Sequence, residues 1–74
     1  MAIVNATAGV ESIGQTAGDV WHLLNEQGPM PITKLIKEID APRDLVLQAL
    51  GWLAREDKIA IEEVARRKMI SLRE

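Results

Sequence analysis

Cysteine is absent from this 74-residue chain, and so are phenylalanine and tyrosine. The first absence excludes disulfides and thiolate chemistry. With His22 as the single histidine, a zinc site would rest on carboxylates, a poor ligand set for that ion. No metal and no cofactor is therefore expected. Long apolar runs are also missing: none approaches the ~20 residues that cross a bilayer. The N-terminal stretch has neither a basic leader nor a signal-length apolar core. The expectation is a cytoplasmic protein without a membrane segment, which the lack of cysteine fits. No glycine-rich phosphate loop, metal-ligand spacing or nucleophile elbow appears, and the carboxylates are scattered. No catalytic residue stands out, so an enzyme is not expected.

What is present is ample apolar material, 47% of residues. One domain is expected at this length. Domains this small tend to be marginal and gain stability from disulfides, metals or self-association. With the first two removed, self-association is the device left. The net charge of −2 hides an asymmetry. Residues 58–74 carry five basic side chains against three acidic, whereas residues 1–57 carry four against eight. Basic charge thus gathers at the C-terminal end, although the whole chain lacks the basic balance of a typical nucleic-acid domain.

Residues 1–11 are small and polar and read as a flexible tail; residues 12–74 read as the folded domain. Ser12 followed by Gln15 matches a capping box opening a first helix. Ile13, Ala17, Val20, Trp21 and Leu24 form its apolar stripe. Gly28 and Pro29 end it. Met30 to Ile32 is extended, with Pro31 barring a central strand. Thr33 caps a short second helix with Leu35, Ile36 and Ile39 inward. Asp40 and Ala41 turn the chain. Pro42 suits the first position of a third helix, and Asp44 complements its dipole. That helix runs to about Glu56. Ile59 and Ile61, then Ile70 and Leu72, alternate inward as two strands joined by a loop over 63–67. The pattern predicts a mainly α fold with a small β-hairpin (α+β): a winged helix-turn-helix with three helices plus a wing.

On helix three, Val46, Ala49, Leu50 and Leu53 follow the i, i+3, i+4, i+7 spacing of a core face. The opposite face is mixed: Asp44, Leu47, Gln48, Gly51, Trp52 and Arg55. A helix that reads DNA presents Arg, Lys, Asn, Gln or Ser to bases and phosphates. Here Gln48 and Arg55 qualify, with Arg43 near the start. Exposed Leu47 and Trp52 would form an apolar patch. Gly51 costs a helix about 1 kcal/mol relative to alanine, which suggests close approach of another backbone or a bulky ring. The alternatives are a partner interface, most simply a twofold dimer, and ordinary packing of Trp52 on its own wing or N-terminal segment. The wing run V-A-R-R-K can reach a phosphate backbone, or it is a solvated loop.

Two functional readings follow. One is a nucleic-acid-binding, regulator-like protein that contacts DNA through Thr33, Lys34, Arg43, Gln48, Arg66, Arg67 and Lys68. The other is an interaction or dimerisation module that has lost DNA reading, with helix three forming the interface through Leu47, Gly51, Trp52 and Arg55. A winged helix hosts both uses.

The stretches I-G-Q-T-A-G-D-V-W at 13–21 and D-L-V-L-Q-A-L-G-W-L-A-R-E-D-K-I at 44–59 resemble a family of small winged helix-turn-helix proteins of bacteria and archaea classed as a domain of unknown function. The resemblance covers about residues 12–72. It implies the winged-helix fold and suggests homodimers, and it implies no established activity, ligand or operator. The chain has Asp57 where glycine is expected, at the corner before the wing. If that corner needs a positive φ, aspartate is a tolerable substitute.

Overall fold

The computed structural model describes residues 6–73, with side chains from Glu11 onward. The elements are α1 (Ala6–Gln27), β1 (Met30–Pro31), α2 (Ile32–Glu38), α3 (Arg43–Arg55), β2 (Ile59–Val64) and β3 (Arg67–Leu72). The strands form one antiparallel sheet in the order β1-β3-β2. Three helices against a small sheet ending in a hairpin make the winged helix-turn-helix that the pattern predicts.

α1 starts earlier than the capping box implies. No proline interrupts the chain before Gly28, and the helix continues back through Ser12 to Ala6. Ser12 is therefore an exposed residue inside the helix rather than its cap. Part of the predicted tail, from Ala6 to Glu11, is helical; residues 1–5 lie outside the described residues. At the far end Gly28 has φ +83° and donates its N–H to the Leu24 carbonyl at 2.8 Å. That is the left-handed termination that glycine permits.

Ala17, Val20 and Leu24 are buried as the stripe predicts. Trp21 is not: it is 37% exposed, one residue and about 100° of turn away from the buried Val20. Leu35, Ile39, Val46, Ala49, Leu50 and Leu53 complete the helical part of the core. α1 packs along α3, β3 packs against α1 and α2, and β2 against α3.

α2 starts two residues before its predicted position, and α3 one residue after. Pro31, not Thr33, stands at the N-cap of α2, so Ile32 is helical and Thr33 is the second residue of the helix with no capping bond. Pro42 is the N-cap of α3 rather than its first residue, with φ −58° and ψ 146°. Its fixed φ suits either position, and the extended ψ places it just outside. Its carbonyl accepts the first helical bond, from the Val46 N–H at 3.1 Å. β1 tolerates Pro31 because it lies at the sheet edge.

The corner after α3 has Asp57 at φ 60°. Asp57 donates its N–H to the Ala54 carbonyl (3.1 Å), and Lys58 donates to that of Leu53 (2.9 Å). This is the double-bonded helix stop in which glycine is usual, so the corner does need a positive φ and aspartate supplies it. Arg73 pairs with the Asp57 carboxylate at 2.7 Å, tying the wing's return strand to the corner.

The wing is tighter than predicted. The strands continue through Val64 and resume at Arg67, so the loop is only Ala65–Arg66, at φ 52° and 67°. Ile59 and Ile70 are buried and Leu72 half-buried, as expected, but Ile61 is 45% exposed. It belongs to the cross-strand row Met30, Ile70, Ile61. The outer edge strand carries it past the cover that the helices give its neighbours.

A candidate nucleic-acid cleft and a tryptophan groove

The surface of α3 has two flanks. At about 100° per residue, Leu47 and Trp52 lie roughly 140° apart around the helix, each 39% exposed. They face different neighbours.

Leu47 forms the floor of a cleft of about 410 Å³ together with Ile32 and Ile36 of α2. Its rim holds Thr33, Lys37, Arg43 and the wing residue Lys68. A second hollow of about 290 Å³ continues along the wing, bounded by Pro31, Ile32 and Thr33 on one side and Arg66, Arg67 and Lys68 on the other. The β2–β3 hairpin brings the last three basic residues to α2, and the turn before α3 brings Arg43 to the same place. Glu63 stands opposite Lys68 in the strand register. Neither of the two ion pairs among the described residues, Lys58 with Glu56 and Arg73 with Asp57, takes a cation from this surface. Three cationic side chains therefore rim the apolar floor, and Arg66 and Arg67 extend the basic surface along the wing.

Of the residues predicted to touch nucleic acid, Thr33, Arg43, Arg66, Arg67 and Lys68 line this continuous surface. Lys34 and Gln48 are exposed but line neither part. Lys37 belongs to the cleft and was not predicted. Its signal was available: it follows Thr33 by four residues and so shares a helix face.

On the other flank, Trp52 borders a groove of about 500 Å³ between α3 and α1. Gly14 and Gly18 line the α1 side, and a Cβ at either would meet nothing within 4 Å. Trp21 and His22 continue that wall, their rings edge to face at a centroid distance of 5.4 Å. The interface predicted from Leu47, Gly51, Trp52 and Arg55 is therefore divided. Leu47 belongs with the basic cleft and Trp52 with the α1 groove, while Gly51 and Arg55 are exposed between them. The close approach inferred for Gly51 is not made among the described residues, where a Cβ there would also meet nothing within 4 Å.

Residues 8–72 match the model of the winged helix-turn-helix domain DUF2582. This chain belongs to the DUF2582 family. It is 38% identical over 63 residues to an uncharacterised protein of Methanocaldococcus jannaschii, a match covering 82% of this chain and 90% of that one. The solution NMR structure of protein BT2368 from Bacteroides thetaiotaomicron is similar at 35% identity with a TM-score of 0.75, covering 84% of this chain and 76% of that one. The DUF2582 match takes in the cleft and all of the groove lining except Arg73. No helix among the described residues is long and apolar enough to cross a membrane.

Proposed function

We propose that this DUF2582 protein is a non-enzymatic, cytoplasmic nucleic-acid-binding module that takes up duplex DNA in the cleft between its wing and the start of α3. The observation that carries this reading is the convergence of Lys37, Arg43, Arg66, Arg67 and Lys68 from three separate elements on one surface. Cations gathered from elements distant in sequence produce a focused positive potential in a chain whose net charge is negative. Arg66 adds weight. It occupies a left-handed turn position where glycine or asparagine is preferred, and such costs collect where a side chain has work to do. No cofactor enters this role.

The test is an NMR titration of labelled protein with a duplex at low salt, repeated near about 0.2 M, where phosphate-driven binding weakens steeply. Shifts at Thr33, Lys37, Arg43 and 66–68 that fade with salt are expected. Unmoved spectra at low salt would remove the reading.

A second reading, self-association, is favoured by the tryptophan groove. Trp21 and Trp52 are each more than a third exposed beside an open glycine track. On α1, Gly14, Gly18 and Trp21 follow one helical stripe, so a twofold antiparallel contact would set Trp21 of each copy against Gly14 of the other. The two readings do not compete, because the groove and the cleft lie on opposite flanks of α3. Trp52→Ala should lower the association constant in sedimentation equilibrium; an unchanged mass distribution would count against a dimer through this groove.

A further inference from the structure

The strip of α3 midway between Leu47 and Trp52 points furthest from the core. It holds Asp44, Gln48, Gly51 and Arg55, all exposed. A helix in a major groove reads base edges mainly with its N-terminal residues. Arginine or lysine pairs with guanine there, and asparagine or glutamine with adenine. In the first two turns of this strip stand one amide, Gln48, and one carboxylate, Asp44, which repels the phosphates it would have to pass. Gly51 offers no side chain. Arg55 lies about 16 Å further along the axis than Asp44, at the far end of the helix.

Apart from Arg55, the cations that line the cleft and wing stand off this strip. Lys37, Arg43 and Lys68 rim the cleft, and Arg66 and Arg67 extend it along the wing. Phosphate contacts position a protein on a duplex without carrying sequence information. The apolar floor of Ile32, Ile36 and Leu47 suits the deoxyribose faces of the same strand.

From this division of charge we infer that the protein holds duplex DNA by one phosphodiester strand and does not discriminate between sequences. The inference rests on the nucleic-acid reading above and adds to it the kind of recognition. Five basic contacts would give log K a slope against log salt of roughly −4.5.

The deciding experiment is selection of bound duplexes from a randomised pool, followed by anisotropy titration of individual members across salt. The expected result is no enriched motif, affinities within about tenfold of each other, and the steep salt slope. The Arg66→Glu, Arg67→Glu double variant should bind all members more weakly and lose about two units of slope. Its fold is checked by circular dichroism. An enriched motif bound more than about tenfold above the pool average would overturn this inference and leave the nucleic-acid reading standing. So would preferential binding of a folded RNA hairpin over duplex DNA. Absence of binding at low salt by the folded parent protein would overturn both.

Discussion

Arg66 and Ala65 show how one turn can trade stability for charge. A two-residue hairpin loop with both φ values positive is the type I′ turn, which favours Asn-Gly because a Cβ is strained there. This wing has Ala-Arg instead, at φ 52° and 67°. Ala65→Asn should raise the melting temperature by a few degrees, about 0.5–1 kcal/mol, without touching nucleic-acid affinity. Arg66→Gly should raise it similarly but weaken duplex binding, since it removes one of the proposed phosphate contacts. Thermal melts and anisotropy on the two variants separate strain from charge; equal affinity for Arg66→Gly and the parent would show that Arg66 makes no contact. Asp44 has the opposite balance. Asp44→Asn should cost about 0.3–1 kcal/mol at the N-terminus of α3, where its charge complements the helix dipole. It should also tighten duplex binding, because a carboxylate beside the cleft is removed.

At the scale of the element, α3 is a helix with a settled inside and an unsettled outside. Val46 and Ala49 are wholly buried, and Leu50 and Leu53 nearly so. The i, i+3, i+4, i+7 spacing picks out all four without help from the fold. The outer residues carry no such mark. Spacing places Leu47, Gly51 and Trp52 together on the face away from the core, and only the packing of α2 on one flank and α1 on the other separates them. The glycines provide a direct test. Gly51→Ala should stabilise the isolated chain by about 0.5–1 kcal/mol, because the site has room for a Cβ and helical glycine is entropically unfavourable. Gly18→Ala should do the same for α1. If two copies meet across the groove, Gly18→Ala should also weaken association. Denaturant unfolding and sedimentation on the same two variants measure both effects, and a Gly18→Ala variant that is less stable as a monomer would contradict the open space beside it.

The molecule as a whole has little stability to spare. A domain of this size is stable by roughly 4–11 kcal/mol, and Leu35, fully buried where α2 meets the sheet, anchors one wall of the cleft. Leu35→Ala should cost about 2–5 kcal/mol, enough to populate unfolded protein measurably in a urea titration. The two proposed surfaces are expected to vary independently. Trp52→Ala should leave protomer affinity for DNA unchanged, and reversing Arg66 and Arg67 should leave self-association unchanged, since sites without shared contacts behave additively.

Periodicity and local chemistry were enough to determine the three helices among the described residues, the core face of α3 and the edge position of the proline-bearing strand. These depend on near neighbours in the chain, through backbone geometry and the spacing of apolar residues. They could not determine how far α1 extends back past Ser12, because a helix lacking a breaker continues through a plausible cap. The wing loop shrank to two residues because strand pairing with β3 outweighed the poor turn propensity of Ala-Arg. The partners of α3's outer residues were likewise decided only by the tertiary structure. Lys37 and Lys68 are far apart in sequence and meet because α2 and the wing pack on the same flank. Trp21 is half-exposed because α1 meets α3 along a neighbouring stripe. Helical spacing gives the direction in which a side chain leaves its helix, and what lies in that direction depends on how the elements pack.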